Sequence, residues 1–395
     1  MKKLKILFIS HNIAFTGSFF RGYHWGKELV KMGHDVTLIA TSKTNKFNFH
    51  HYYKKGVEIV ETPDLLWGHL RSGWDIWGVF RRICYLQNCK YDIIHCIDSR
   101  PNTIIPGLYL RNKNKCTLIL DWLDWWGRGG TIKHRGISFL EKPFAPIETF
   151  FEERFRKYAD GNITITNSLR KRALSLGVNP ETIISMPFGV DVDTVKPMDK
   201  EKSRNRYGFN KNDKILGILG NLLECDSDLL FKSFELLVDK IKSLRLIAIG
   251  NSQFKIPKRL LNQGKIIQQK NLPFNSMIEY LSLCDYLLLP LKNNIANRGR
   301  WPSKFSDYLA AGRPIISTRC GEIDNLFKSN NIGYQSADTP KDFSDAILKA
   351  FNSNQNKIQG QNARKLAVNE LSWSILSNQL VNYYYKNINN PNQLY

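Results

Sequence analysis

Short apolar runs recur along the chain and are separated by longer segments in which apolar residues follow a helical period. One such segment, from Gly17 to Lys31, predicts a helix directly after the first run. This alternation of strand and helix favours a doubly wound parallel sheet. The runs of the first half predict strands at Lys5–Ser10, Asp35–Ala40, Val57–Glu61, Ile93–Ile97, Thr117–Leu120 and Asn162–Ile165.

The same alternation restarts after Pro187–Pro197, a stretch rich in turn residues that we interpret as a linker. It predicts two Rossmann-like domains, residues 1–190 and residues 191–364, each long enough to bury its own core. Two further helices are predicted near the end of the chain, at Phe343–Phe351 and Gln361–Tyr384. Strands of the second domain are predicted at Ile215–Leu219, Leu244–Ile249, Lys265–Gln268, Tyr286–Leu289 and Pro314–Ser317.

Residues 300–317, RWPSKFSDYLAAGRPIIS, combine a polar turn, a short helix and a buried strand. We predict Ser303 as the N-cap of a helix from Lys304 to Ala311, whose first turn presents backbone N–H groups to anionic oxygens. Lys304 adds a positive charge, and Asp307 lies on the same helical face, where its carboxylate can accept hydrogen bonds from sugar hydroxyls. The alternative is an amphipathic helix joined to a strand by a Gly-Pro turn.

This segment resembles the donor-site motif of GT-B glycosyltransferases, and in particular of the retaining family 4 type. The matching positions are Pro302, Lys304, Asp307, Tyr308, Leu309, Ala310, Gly312 and Pro314. Three more segments resemble family motifs in the right order: Gly33–Val36, Tyr91–His95 and Pro187–Asp191. The resemblance implies a GT-B fold, in which two Rossmann-like doubly wound parallel-sheet domains face a central cleft. It also implies that the N-terminal domain binds the acceptor and the C-terminal domain the nucleotide sugar.

In the family the last helices cross back to the N-terminal domain. The resemblance therefore implies that a C-terminal helix at about residues 365–386 packs on residues 1–190, anchored by Trp373 and by Tyr383–Tyr385.

On the donor side the resemblance implies a diphosphate site that lacks several of the family's usual residues. The turn at Gly17, within Thr16–Ser18, occupies the place of the family's glycine-rich turn, whose N–H groups can form an anion nest. Asn221 and Asp226 stand where many members have a basic clamp, and Gly299 stands where the first of two glutamates is usual. We expect Arg298, Arg300 and Lys304 to replace this clamp because arginine binds a diphosphate bidentately. The alternative is a solvated basic surface, and the nucleotide base is not predicted.

The segment Asp121–Arg128, DWLDWWGR, follows a predicted strand and carries aromatic and acidic side chains. Sugars stack on aromatic rings while carboxylates accept hydroxyl hydrogen bonds, so the segment suits a saccharide acceptor. We expect Asp124, and after it Asp121, to have the catalytic role that the family gives to a His or acidic residue of this loop. The expected acceptor-binding residues are Trp122, Trp125, Trp126 and Arg128. The alternative is an N-capping aspartate among core tryptophans.

Charge is the unusual feature of the composition, since 57 Lys and Arg residues against 35 Asp and Glu residues give a formal net charge of +22. This charge is spread over both halves of the chain and indicates an anionic partner. No nucleic-acid recognition module is readable, and nucleic acid is not an expected partner. The segment Leu65–Arg82, rich in tryptophan and flanked by arginine, predicts contact with an anionic membrane surface. Alternatively, these aromatic side chains face the core or the acceptor cleft.

Seven dispersed cysteines without a Cys-x-x-Cys pair argue against disulfides and a zinc site, and we expect neither a metal nor another cofactor. A reducing, cytoplasmic location follows, with the inner face of the cell membrane as the candidate surface. Helical spacing of Glu148, Glu152, Glu153 and Arg154 predicts a solvated helix face.

The sequence therefore predicts a glycosyltransferase that uses a nucleotide-diphosphate sugar. The expected acceptor is a saccharide, in particular a lipid-linked glycan of cell-envelope polysaccharide or lipopolysaccharide synthesis. Retention of configuration is implied by the resemblance alone. A second hypothesis is a catalytically degenerate GT-B protein that binds or scaffolds glycans, because the clamp residues are missing. A third, a basic nucleic-acid binder, is least favoured.

Overall fold

The computed structural model describes residues 2–65, 72–134, 145–251 and 254–388. Contacts between those residues divide them into two compact units. One comprises the described residues of 1–132, 138–187 and 373–395, and the other those of 133–137 and 188–372. The chain therefore passes to the second unit after Pro187 and returns to the first at Trp373.

Strands and helices alternate along the chain as the apolar runs predict. Up to Pro187 they are β1 (Lys5–Ile13), α1 (Phe19–Lys31), β2 (Asp35–Thr41), β3 (His50–Lys54), β4 (Val57–Thr62), α2 (Ile76–Leu86), β5 (Ile93–Ile97), α3 (Pro101–Asn114), β6 (Thr117–Trp122), α4 (Thr131–His134), α5 (Ala145–Glu153), β7 (Gly161–Thr164), α6 (Asn167–Ser175) and β8 (Ile183–Ser185).

The second half of the chain continues the alternation and ends in helices. Its elements are α7 (Lys200–Arg206), β9 (Lys214–Leu219), α8 (Glu224–Val238), β10 (Leu244–Ile249), α9 (Lys258–Asn262), β11 (Ile266–Gln269), α10 (Phe274–Leu283), β12 (Tyr286–Leu289), α11 (Ile295–Arg298), α12 (Ser303–Ala310), β13 (Ile315–Thr318), α13 (Gly321–Asn330), β14 (Gly333–Ser336), α14 (Pro340–Phe351), α15 (Asn356–Glu370) and α16 (Trp373–Ile388).

Each unit is built on one sheet. In the first unit the described strands form an eight-stranded sheet in the order β3-β4-β2-β1-β5-β6-β7-β8, in which β3 alone runs antiparallel to its neighbour. The second unit has a six-stranded parallel sheet in the order β11-β10-β9-β12-β13-β14. Both orders reverse direction beside the first strand of the unit, which is the topology of a doubly wound sheet. Ligands of such sheets bind at the carboxyl ends of the strands.

The central strands are buried because helices cover both faces of each sheet. Strand β5, IIHCI, is buried at every position, as expected for a parallel strand between two helical layers. Helix α1 approaches the first sheet closely at Gly22, where an added Cβ would lie 2.5 Å from Ile97 Cδ1. This close approach brings Arg21 of α1 against the sheet.

Helix α16 belongs to the first unit and is anchored there by aromatic side chains. The Tyr384 hydroxyl lies 2.6 Å from His95 Nδ1, Tyr383 donates to Thr182 O at 2.6 Å, and Trp373 stacks on His24. These contacts agree with the predicted anchors. The single helix predicted at Gln361–Tyr384 is wrong, because the chain leaves the helical conformation at Leu371 and Ser372, where Val190 N donates to Leu371 O.

Candidate functional site

Helix α12 of the second unit holds the segment that the sequence singles out. It begins at Ser303 with Pro302 as N-cap, so the prediction of Ser303 as the capping residue is wrong. The buried indole of Trp301 donates to Ser306 Oγ at 2.9 Å, which in turn donates to Phe188 O at 2.6 Å. Leu219 N, at the end of β9, donates to Tyr308 Oη at 2.8 Å. These bonds fix α12 beside the carboxyl end of β9.

A buried carboxylate organises the turn before this helix. Asp226, in the first turn of α8, is fully buried and accepts from Lys292 N at 2.7 Å and Asn297 Nδ2 at 2.8 Å. Arg300 Nη2 donates to its other oxygen at 3.0 Å. Burial raises the pKa of Asp226, and the charge of Arg300 opposes that rise. We call Asp226, Lys292, Asn297 and Arg300 the Asp226 cluster.

The Arg300 guanidinium is bound to Asp226 through one nitrogen and has further N–H donors. Its side chain is 21% exposed, and its Nε is a buried donor for which the described residues supply no acceptor. A buried donor without a hydrogen bond lowers the free energy of unfolding by about 1–3 kcal/mol. The guanidinium is therefore fixed by Asp226 and can still offer N–H groups to an anion. Arg298, two residues earlier, is exposed at the end of α11.

Lys304 and Asp307 lie beside the Asp226 cluster on α12. Lys304 Nζ donates to Asn221 O at 2.5 Å. Burial and the nearby Arg300 lower the pKa of Lys304 to about 7, and burial raises the pKa of Asp307 to about 7. Both side chains can therefore change charge near neutrality. Protonated Lys304 can bind an anion, and the Asp307 carboxyl group can hydrogen-bond hydroxyl groups.

The turn at Gly17, in the first unit, differs from the expected anion nest. Gly17 has a φ of +52°, and the turn is closed by Asn12, whose Oδ1 accepts from Ser18 N at 3.1 Å. Thr16 N and Phe19 N donate to Ile13 O and Thr16 O. The N–H groups of Thr16, Ser18 and Phe19 are thus already bonded within the turn, which leaves fewer of them for the expected anion nest.

The acceptor-side prediction is corrected at two positions. Asp121 is fully buried and accepts from Arg21 Nε at 2.6 Å. Burial opposes ionisation, but Arg21 and His95 keep the pKa of Asp121 below its ordinary value. Trp122 is also fully buried, with the Arg156 guanidinium 3.8 Å from its ring centroid. Asp121 is therefore a structural ion-pair partner, and Trp122 is a core residue that offers no face to a sugar.

The rest of the segment, residues 123–130, is a loop tied down by Glu152; we call it the tryptophan loop. Glu152 accepts from Trp122 Nε1 at 2.9 Å, from Trp126 N at 2.7 Å and from Gly127 N at 2.7 Å. Burial raises its pKa to about 7. The prediction of a solvated face at Glu148, Glu152 and Glu153 is wrong, because all three side chains are buried, Glu148 beside Arg100 and Glu153 beside Arg172.

The loop leaves several predicted acceptor residues partly accessible. Asp124, Trp125 and Trp126 are half-buried, and Arg128 is exposed while its Nε donates to Glu153 at 2.9 Å. They remain candidates for the roles that the sequence predicts, at the carboxyl end of β6.

Asp98 is a functional candidate that the sequence analysis missed. It follows β5, has a φ of +69°, and lies 3.3 Å from His11 Nε2. Trp126 Nε1 donates to the same oxygen at 3.3 Å, so this pair adjoins the tryptophan loop. Left-handed backbone at a buried non-glycine residue is often found at functional sites. The available signal was a carboxylate directly after a predicted strand, as at Asp121 after Leu120.

Metal and membrane features are limited in the described part of the chain. It contains no group of three or more His, Cys, Asp or Glu side chains arranged to hold a metal ion. No helix among the described residues is both long and apolar enough to span a membrane. Of the segment Leu65–Arg82, residues 66–71 lie outside the described residues, including Leu66, Trp67, Leu70 and Arg71 of the predicted membrane contact.

Both units match known protein families. Residues 22–194 match the family described as Glycosyltransferase Family 4, and residues 199–366 match Glycosyl transferases group 1. A curated relative described as a teichuronic acid biosynthesis glycosyltransferase, TuaH of Bacillus subtilis (strain 168), is 28% identical over 104 residues. That match covers 26% of this chain and 26% of TuaH, so the chain aligns with about a quarter of that relative's length.

Solved structures share the fold over nearly the whole chain. Sucrose-phosphate synthase from Thermosynechococcus elongatus has a TM-score of 0.74 at 13% identity, covering 97% of this chain and 98% of the other. Anabaena Alr3699/HepE in complex with UDP-glucose has a TM-score of 0.69 at 12% identity, covering 97% and 100%. The two family models together match most of the chain and both units have the doubly wound topology, so the chain belongs to the group 1 glycosyltransferases and has the GT-B fold.

Proposed function

We propose that this glycosyltransferase moves a sugar, with retention of configuration, from a nucleotide-diphosphate sugar to a saccharide acceptor. The observation that carries the proposal is Arg300, a guanidinium fixed by a buried carboxylate, with a buried donor that no described residue pairs. Phosphate oxygens suit such a group because guanidinium N–H groups bind them bidentately with charge assistance. The HepE structure contains UDP-glucose, which supports a nucleotide sugar as the donor class.

In this proposal Asp226 places a negative charge where the family usually has a positive one, and the diphosphate is still bound by cations. The carboxylate occupies the position where a lysine is usual, and it pairs with Arg300, 74 positions along the chain. Lys304 on α12 supplies a second cation beside it. Arg300 and Lys304 together would offer two cations to one diphosphate, and this arrangement supports a working donor site over a degenerate one.

The chemistry asked of these residues is electrostatic. The bond between the anomeric carbon and the β-phosphate oxygen breaks, the acceptor oxygen bonds to that carbon from the same face, and the acceptor proton passes to the departing diphosphate. Arg300 and Lys304 stabilise the charge that develops on the leaving oxygen. Asp124, with Trp125 and Trp126, orients the acceptor sugar. No metal or other cofactor is part of this proposal.

The direct test is a transfer assay with a panel of nucleotide sugars, with UDP-glucose as the first donor. We expect release of one nucleoside diphosphate class in the presence of an envelope saccharide extract, and a product whose anomeric configuration by NMR is that of the donor. Hydrolysis and transfer absent for every donor would contradict the donor proposal, while an inverted product would contradict retention alone.

We propose a lipid-linked glycan of the cell envelope as the acceptor. TuaH, the relative, is described as a teichuronic acid biosynthesis enzyme, which is consistent with such an acceptor. In this chain, α2 presents an exposed apolar face: Ile76 is 82% exposed and Phe80 is 55% exposed. Arg81 lies 5.3 Å from the Trp77 ring centroid, which places a cation beside that face. Apolar side chains with flanking cations suit the interface of an anionic membrane.

Replacing Phe80 with aspartate is expected to reduce binding to vesicles that contain phosphatidylglycerol by about tenfold, because the change removes an apolar side chain that would insert into the bilayer and adds a charge that the anionic surface repels. Vesicle co-sedimentation measures the effect. Leu236→Asp, at an exposed position of α8, is the matched control. Equal loss in both variants, or no loss in Phe80→Asp, would show that α2 does not contact the membrane.

A further inference from the structure

A polar groove of about 690 Å³ runs along β14, the edge strand of the second sheet. Its volume lies within the range of about 300–1,000 Å³ typical of small-molecule sites. Its lining comes from β14, α14 and the start of α15, and none of its residues belongs to the Asp226 cluster. We call it the edge groove. The side chains that the argument uses are Arg319, Gln335, Asp345, Lys349 and Gln359.

Buried amide groups in the edge groove lack partners. Gln359 is 1% exposed, and its Oε1 has no hydrogen-bond partner among the described residues. The Nε2 of Gln335 is likewise buried without a partner there. One groove therefore contains an unmet acceptor and an unmet donor. Each buried group without a hydrogen bond costs about 1–3 kcal/mol of stability. A ligand that supplies both a donor and an acceptor is therefore favoured.

Charge in the groove points to a neutral ligand. Two carboxylates, Asp342 and Asp345, are matched by two cations, Arg319 and Lys349. This balance contrasts with a chain whose formal net charge is +22. A site for a phosphate or a nucleic acid would carry an excess of cations. Hydroxyl groups, which both donate and accept, match the mixture of amide, carboxylate and guanidinium groups.

An added peptide strand fits this edge poorly. Ile332 O and Ser336 O accept from β13 and the residue after it, so the backbone groups of residues 331, 333 and 335 point away from the sheet. Asn362 Nδ2 donates to Asn331 O at 3.2 Å, and Gln359 Nε2 lies 3.5 Å from Gly333 O. Within that stretch, Gln335 is left as the outward position that no described side chain covers. One residue is too short for a strand ladder.

We propose that the edge groove is a second saccharide site, which binds a neutral stretch of the glycan chain away from the donor site. The choice of saccharide rests on the proposed function. A chain held there remains tethered to the enzyme, so its growing end is presented at a raised effective concentration. The groove then favours repeated or long-chain acceptors over short ones.

The test is an array printed with maltoheptaose, cellohexaose, mannohexaose and an anionic galacturonate oligomer, probed with the full chain. We expect a signal on at least one neutral oligosaccharide, weakened at least tenfold by Gln335→Ala and by Asp345→Ala, the second at an exposed position that leaves the fold intact. Saturating UDP-glucose and the Arg300→Ala variant should leave the signal unchanged. Arg259→Ala, an exposed arginine of α9, is the control substitution.

No neutral signal, or a signal that both groove variants retain, would overturn the proposal. A signal lost in Arg300→Ala or displaced by UDP-glucose would assign the binding to the donor site instead and would also overturn it. Failure of the donor proposal is separate, because it appears as absent sugar-nucleotide turnover while the array signal persists.

Discussion

Replacing Arg300 with alanine is expected to lower kcat/KM for the sugar nucleotide by about 100-fold or more. The substitution removes up to two charge-assisted hydrogen bonds to the diphosphate, each worth about 1.5–3 kcal/mol, and a 100-fold loss corresponds to about 2.7 kcal/mol. It also leaves Asp226 as a buried carboxylate without its cation. Steady-state kinetics with a saturating acceptor measure the loss.

Two variants separate this effect from a general loss of structure. Arg259→Ala removes an exposed arginine of the same unit, whose partner Glu235 is 3.6 Å away, and should leave the kinetics unchanged. Asp226→Asn keeps the shape of the cluster but frees Arg300, so we expect a smaller loss of about tenfold, mostly in KM. A folded Arg300→Ala enzyme with wild-type kcat/KM would show that Arg300 does not bind the diphosphate.

Sugar-nucleotide affinity is expected to fall as the pH rises above 7, because of Lys304. Burial and Arg300 lower the pKa of this lysine to about 7, whereas the diphosphate diester has no group that titrates near neutrality. The anion binds the protonated lysine more tightly, so binding takes up a proton at pH 8 and weakens by up to about tenfold per pH unit. Calorimetric titrations with UDP-glucose between pH 6 and 8.5 measure the slope.

Substitutions at position 304 assign that slope. Lys304→Ala should bind about 100-fold more weakly at pH 6.5 and lose most of the pH dependence. Lys304→Arg should keep binding and flatten the slope, because arginine stays charged throughout. Asp226 and Asp307 are the acidic groups that act on Lys304, and Asp307 itself titrates near 7. Asp307→Asn therefore serves as the control: if it removes the slope and Lys304→Arg does not, the titrating group is Asp307.

The fold was predictable because its signals are local. Buried parallel strands give continuous apolar runs, and the segments between these runs have a helical period. Both sheets and most of their strands were therefore found. Strand β3, HHYYK, escaped because it is largely exposed and polar at the antiparallel edge. The break at Leu371 and Ser372 escaped because it depends on bonding to Val190, far away along the chain.

The site was only partly predictable because its chemistry depends on contacts between distant residues. Asp226 reads in the sequence as the loss of a basic clamp residue, and only its ion pair with Arg300 shows what it does. Trp122 and Trp125 read alike as aromatic residues after a strand. Trp122 is the last residue of β6, which is buried from Leu118 onward, and its indole donates to the buried Glu152, whereas Trp125 lies in the loop beyond the strand and is half-buried.

The most direct test of the account is calorimetric titration of UDP-glucose, and then of the other nucleotide-sugar classes, into wild type, Arg300→Ala and Arg259→Ala at pH 6.5. The account predicts saturable binding of one class by wild type and Arg259→Ala, and affinity at least about 100-fold weaker for Arg300→Ala. Equal affinity in all three proteins would contradict a donor site built on Arg300 and Asp226, and so would absence of binding for every class.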